Sequence, residues 1–316
     1  MTSFFQENYS AQSVGIMFTY SLLLENGLAN TFSMFSEMET SMISMERCYK
    51  YTQLTPERNF VLPEDENLKE NNWPNIGKMI FKDLSVKYRP DTEIVLKNIN
   101  FEISPGEKVG ICGRTGSGKS TLCLSIFRLI EPYTGTIFID DIDIQKIGLD
   151  LLRKSLTYIP QEPILMEGSL KFNIDPFDYS NNEEIIQILK KIGFEYNEDD
   201  NKILERHIEV NGNNLSIGEK QLICIARAVL KKTKILIMDE ATANIDVKTE
   251  EKIQKIINDT FNDCTIITIA HRIKTILNYD KILVLESGKI IEFDSPKNLL
   301  ENKESHFYKL YEKSSL

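Results

Sequence analysis

The run KVGICGRTGSGKST, residues 108 to 121, sets Gly113, Gly118, Lys119 and Ser120 at the spacing G-x-x-x-x-G-K-S. Glycines at those positions let backbone N–H groups curl around a phosphate, a lysine at the seventh position reaches the outer phosphate oxygens, and the hydroxyl after it can ligate Mg²⁺. The loop as a whole, Gly113, Arg114, Thr115, Gly116, Ser117, Gly118, Lys119, Ser120 and Thr121, is therefore expected to hold a nucleoside triphosphate. KILIMDE ends in Asp239 and Glu240, so an apolar strand delivers two carboxylates to its carboxyl end, where open α/β sheets bind ligands. Asp239 is expected in the Mg²⁺ shell and Glu240 beside an attacking water.

Three further residues gain meaning from that company. Gln161, in TYIPQEP, follows a strand at a proline that blocks helix continuation, and its amide can touch Mg²⁺ or the water. His271, in TIITIAHRI, sits just past another strand within reach of a γ-phosphate. Tyr88 lies upstream of the glycine loop, where it can stack an adenine ring. Standing alone, each would read as a turn amide, a structural histidine or a strand aromatic. A second anion-type feature is LSIGEKQ, residues 215 to 221, which opens a helical run, QLICIARAVL. Such a start exposes N–H groups and the positive end of the helix dipole, so it is built to hold an anion.

Alternating runs at KMIFKDLSVKY and EIVLKNINFEI predict antiparallel strands, and KVGIC is a compact buried strand before the glycine loop. Strands follow at TIFID, LTYIP, KILIMD, TIITIA and KILVLES, with a mostly helical block from about 168 to 232. The fold class indicated is α/β, with parallel strands wrapped by helices and a helical insertion.

Upstream, VGIMFTYSLLL is an apolar run from Val14 to Leu24, short of the roughly twenty residues that cross a bilayer. A helix continues from Leu28, with Phe32, Phe35, Met38, Met42 and Met45 on one stripe. The stretch TPERNFVLPEDENLKENNWPN then reads as a linker.

Composition narrows the partners. A net charge of −10 disfavours nucleic acid. Five cysteines, odd in number and without C-x-x-C pairing, point to buried free thiols in a reducing compartment, not to disulfides or zinc.

Together, GRTGSGKST, Gln161, LSIGEKQ, ILIMDE, the segment Ala241 to Asp246 (ATANID) and His271 resemble the ATPase domain of ABC transporters in order and spacing, over residues 76 to 316. Trp73-Pro74, VKYRPDTEIVLKNINFEI, NIDPF at Asn173 to Phe177, and FNDCTIITIAHRI are similar to the second ATPase domain of the multidrug-resistance-associated, or C, subfamily. SEMETSMISMERCYKY resembles the stretch joining that subfamily's last membrane helix to its ATPase domain.

The resemblance implies a P-loop ATPase fold: a mostly parallel core, an antiparallel β-subdomain and an α-helical subdomain, preceded by a long N-terminal helix. It divides the chain into residues 1–54, the end of a transmembrane domain, 55–75, a linker, and 76–316, the ATP-binding domain. It implies ATP and Mg²⁺ as cofactors, with metal ligands Ser120, Gln161 and Asp239 and catalytic residues Glu240, His271, Gln161 and Lys119. The partners implied are a second ABC ATPase domain, head to tail, and transmembrane domains. Ser216 and Gly218 would then meet a nucleotide held by the other domain.

The activity implied is ATP hydrolysis powering export of organic anions or conjugates, with this domain on the cytoplasmic side of a membrane. The alternative is a nucleotide-gated channel or channel regulator that does not pump. The membrane part is nearly all missing, which reads as a piece of a longer polypeptide. One residue departs from the pattern: Glu219 stands where the family usually has Gln. A carboxylate facing a triphosphate would weaken its hold, and one turned to solvent or to Lys220 would not. Glu219 is expected to tune nucleotide hold more than turnover.

Overall fold

The computed structural model describes residues 10–194, 200–239, 247–270 and 272–315. The chain divides into two compact units, Met1–Glu57 and Arg58–Leu316.

Among the described residues the first unit holds one helix, α1 (Ala11–Thr52). The Ser10 side chain caps it by accepting from Ser13 N–H, and no residue along it is buried. The stripe read from the sequence is exposed throughout, including Phe32, Phe35, Met38, Met42 and Met45. Among the described residues no helix is long and apolar enough to cross a membrane.

The second unit begins with α2 (Asp65–Glu70), inside the stretch whose composition suggests a linker. This segment is tied down. The Asp65 carboxylate is buried and accepts from Leu62 N–H at 2.8 Å and from Gly148 N–H at 2.9 Å. The Trp73 indole donates to the Ile139 carbonyl at 3.1 Å, and Asp140 accepts from the N–H groups of Asn75, Ile76 and Lys78.

Strands β1 (Met79–Val86) and β2 (Leu96–Ile103) pair antiparallel, as their alternation predicts. After β3 (Lys108–Cys112) and α3 (Lys119–Ile126) come β4 (Thr134–Ile139) and β5 (Ile142–Asp143). The TIFID run forms most of β4 and joins the antiparallel sheet, in the order β2-β1-β4-β5, not the parallel one.

Next come α4 (Leu149–Ser155), β6 (Leu156–Ile159), β7 (Gly168–Ser169), α5 (Leu170–Ile174), α6 (Asn182–Lys191), α7 (Asp200–Glu205), β8 (His207–Ile208) and α8 (Ile217–Lys231). The chain closes with β9 (Ile235–Asp239), α9 (Val247–Thr260), β10 (Thr265–Ile269), β11 (Lys281–Glu286), β12 (Lys289–Asp294), α10 (Pro296–Glu301) and α11 (His306–Ser315). The six-stranded sheet runs β12-β11-β3-β10-β9-β6, all parallel except the edge hairpin β11–β12.

Strand β9 explains how the core is partitioned. Ile235 and Ile237 join Leu122, Cys123 and Ile126 of α3 and the inner face of the antiparallel sheet. Leu236 and Met238 join Ile223, Cys224 and Ala226 of α8 and the other insertion helices. A strand with period two that is buried on both faces serves two cores, which is why KILIM is apolar without interruption. Helices α3 and α8 therefore lie on opposite faces of the parallel sheet. Cys112, Cys123 and Cys224 are buried, Cys264 is half-buried, Cys48 on α1 is exposed, and all five are free.

Candidate functional site

Parallel register gathers the site. Ile269 pairs with both Ile111 and Asp239, and Ile159 pairs with Met238. The carboxyl ends of β3, β10, β9 and β6 thus share one edge of the sheet. The glycine loop follows β3 and Gln161 lies two residues beyond β6. Glu240, His271 and the segment Ala241 to Asp246 fall outside the described residues; in sequence, Glu240 comes directly after β9 and His271 two residues after β10.

The loop is built on backbone that favours glycine. Gly113, Gly116 and Gly118 have φ of 149°, 80° and 105°. Lys119, nearly buried, donates from Nζ to the carbonyls of Gly113 at 2.9 Å and Arg114 at 3.1 Å, so its ammonium lies across the loop. Arg114, Thr115, Gly116 and Ser120 are exposed, while the buried Ser117 hydroxyl has no partner among the described residues. A glycine-turned loop with exposed residues and one ammonium fits a polyphosphate. The Tyr88 hydroxyl lies 3.1 Å from Thr121 Oγ1, which sets that half-exposed ring beside the start of α3.

Asp239 is half-buried at the end of β9 and accepts from the Tyr158 hydroxyl at 3.3 Å. Burial, and then the charge of Asp239, push the Tyr158 phenol far up, so it stays protonated and a donor. Among the described residues no cluster of three or more His, Cys, Asp or Glu could enclose a metal. Asp239, Ser120 and Gln161, the residues expected to hold a cation, offer hard oxygens. That suits Mg²⁺, which is held by one or two carboxylates together with substrate phosphates.

At the second helix start, Ser216 is the N-cap of α8, and its hydroxyl accepts from Glu219 N–H at 3.2 Å. Glu219 turns neither to solvent nor to Lys220. Its Oε2 lies 2.8 Å from both the backbone N and the hydroxyl of Ser216, completing a capping box, and its Oε1 meets Arg206 at 3.4 Å. Lys220 donates to the Asn211 carbonyl instead. Burial works against ionisation of Glu219, yet hydrogen bonds from Ser216 and then the Arg206 charge hold its carboxyl below the usual range. A folded-state pKa below the unfolded one means that the cap contributes fully above about pH 4.5. That contribution is lost as pH falls through the lower folded value.

Two residues of α8 that the motif reading passes over brace the Gln161 segment. Gln221, buried, donates to the Gln161 carbonyl at 3.1 Å. Arg227 donates to the carbonyls of Ile164 and Asn173. Ser216 and Glu219 carry the Ser-x-x-Glu spacing of a capping box, a signal present in the sequence. Tyr158, Arg206 and Arg227 carry no local signal, and Gln221 closes the LSIGEKQ run without a role read from it.

A glycine loop between a parallel strand and a helix, with an acidic strand end beside it, defines a P-loop nucleotide-binding domain. The ABC transporter family model matches residues 96–243. The chain belongs to the ABC transporters, in their C family. It is 45% identical to Bile pigment transporter 1 of Saccharomyces cerevisiae, over 96% of this chain and 20% of that protein. It is 44% identical to ABC transporter C family member 9 of Arabidopsis thaliana, again over 96% and 20%. A solved structure of a bacterial Atm1-family ABC exporter with ATP bound matches 88% of this chain and 48% of that one, at 27% identity and a TM-score of 0.74. The chain spans about a fifth of the length of these curated relatives.

Proposed function

We propose that residues 76–316 bind and hydrolyse ATP to power export of organic anions or conjugates, as the second ATPase domain of a C-family transporter. The domain works on the cytoplasmic side of a membrane. It acts with transmembrane domains and with a second ABC ATPase domain facing it head to tail. The relatives supply the transporter context. The chain's own residues supply the chemistry.

In this reading the N–H groups of residues 113–121 and the Lys119 ammonium hold the β- and γ-phosphates, and Tyr88 stacks the adenine. Ser120, Asp239 and Gln161 hold Mg²⁺, which when bound offsets triphosphate charge and polarises the γ-phosphoryl group. Glu240 orients the attacking water and takes its proton, while His271 holds Glu240 and the γ-phosphate. Lys119 offsets the charge that develops on the phosphoryl oxygens.

One observation carries the two-domain part of this reading. The phosphate-type helices α3 and α8 pack into different cores on opposite faces of one sheet. A single nucleotide held by the loop before α3 does not account for Ser216 and Gly218. A nucleotide presented by a facing domain does, and each site is then complete only when two domains close over it. Turnover by this chain alone is therefore expected to be low and to rise faster than linearly with protein concentration. Steady-state ATPase assays over a dilution series decide the matter. Robust turnover per molecule, constant on dilution, would sink the reading.

Glu219 refines the same surface. Its carboxylate competes with an incoming phosphate for the Ser216 hydroxyl and adds like charge beside it. In the full transporter, Glu219→Gln is expected to tighten nucleotide retention at the facing site several-fold, with little change in maximal rate. Trapping of labelled nucleotide alongside ATPase assays separates the two effects. A many-fold rise in maximal rate with unchanged retention would contradict it.

A further inference from the structure

We propose that Tyr158 is a positioning residue for the metal site: its phenol, donating to Asp239 Oδ2, fixes the direction in which that carboxylate faces. The inference rests on the reading that Asp239 holds Mg²⁺.

The geometry follows from strand pairing. β6 and β9 are parallel neighbours, and Tyr158 is opposite Ile237. Side chains alternate along a strand, so Asp239, two residues beyond Ile237, emerges on the same face as Ile237 and Tyr158. The offset along the strand is roughly 6.6 Å. A side chain leaning along the strand must be long to span it, and an aliphatic residue at 158 would stop short. The phenol covers the distance and ends 3.3 Å from Oδ2.

That face is the one covered by α3, because Ile237 packs in the same core as Leu122, Cys123 and Ile126. The Tyr158 ring also meets the Phe127 ring edge-on, at 5.7 Å between centroids and 73° between planes. Phe127 is the C-cap of α3, the helix that opens with Lys119 and Ser120. The far end of the P-loop helix therefore steadies the ring whose hydroxyl steadies Asp239. One metal ligand comes from the start of α3, and the orientation of another is fixed from its end.

A ligand carboxylate free to rotate pays for its own ordering when the cation arrives, whereas one already held by a neighbouring donor does not. Loss of such outer-shell partners costs about 10–100-fold in metal affinity. The bland alternative is an aromatic that merely fills the strand surface beside Phe127. That alternative gives Tyr158→Phe no effect on the metal, because the ring stays and only the oxygen goes. Tyr158 is 44% exposed, so losing the hydroxyl leaves no hole in a core.

The test uses the 316-residue chain with ATP, titrated with Mn²⁺ followed by electron paramagnetic resonance, and with metal-free nucleotide affinity measured in parallel. Tyr158→Phe is expected to raise half-saturating Mn²⁺ about tenfold. Metal-free affinity and thermal midpoint should stay at the parent values. In an Asp239→Asn background the same change should add nothing, since its effect acts through that carboxylate. A Mn²⁺ titration superimposable on the parent's overturns the proposal. So does a parallel loss of metal-free affinity, which would make the residue part of the nucleotide pocket. A parent chain that binds nucleotide with no metal dependence overturns the reading of Asp239 itself, and the proposal with it.

Discussion

Glu240→Gln is expected to leave nucleotide affinity at the parent level while lowering turnover by about 10²–10⁴-fold, the usual contribution of a positioned general base. The substitution keeps size and shape and removes the negative charge and the basicity of the carboxylate. Its location gives the argument weight. β9 is buried from Ile235 to Met238 and ends at Asp239, and Glu240 follows it directly in sequence. In the proposed reading Asp239 remains for the cation and Glu240 for the water, a division of labour between adjacent carboxylates. The measurement is single-turnover hydrolysis in the assembled transporter, with binding followed separately. Hydrolysis at the parent rate would refute the assignment. A joint loss of binding and turnover would instead place Glu240 in the cation shell.

Gly113→Ala should be the most damaging single methyl group in the phosphate loop. A Cβ there would lie 2.1 Å from the Leu285 carbonyl oxygen and 2.9 Å from Ser117 Oγ, on backbone with φ of 149°. The obstructing atom is main chain. Leu285 belongs to β11, whose register against β3 pairs Val284 with Cys112, so it cannot retreat without opening the sheet beside the loop. Overpacking and disallowed backbone each cost about 1–3 kcal/mol. Their sum, about 2–6 kcal/mol, is a large fraction of a domain's net stability. Either the chain loses stability or the loop moves away from Lys119, whose ammonium donates to this same residue's carbonyl. Both outcomes remove ATP binding. Calorimetric melting with and without nucleotide measures them together, and a variant that melts with the parent and still gains stability from ATP would contradict the account.

Local chemistry made half of this molecule legible. The glycine loop announces itself because its function requires consecutive backbone conformations, and those require glycine at fixed spacing. KILIMD reads as a strand buried on both faces because uninterrupted apolar character has few other uses in so short a run. What stayed hidden depends on register between distant segments. Tyr158 and Asp239 are neighbours only because β6 lies beside β9, and no periodicity in LTYIP states that. TIFID looks like any other strand, and its place in the antiparallel sheet is set by pairing with β1. Ser216 and Glu219 present the opposite difficulty. Ser216 carries two meanings at once, a phosphate contact beside Gly218 and the N-cap of a box closed by Glu219, and the side-chain geometry displays the second.

The buried acid of α2 has a consequence for where this domain starts as a physical object. Motif boundaries begin it at residue 76, yet Asp65 and Trp73 supply hydrogen bonds to Gly148 and Ile139, far inside the folded unit. A chain trimmed to the motif would leave an orphaned amide and an orphaned carbonyl where a carboxylate and an indole had been. The autonomous piece is therefore longer at its front than its chemistry requires, and Asn-rich, acidic text that looks dispensable serves as its hem.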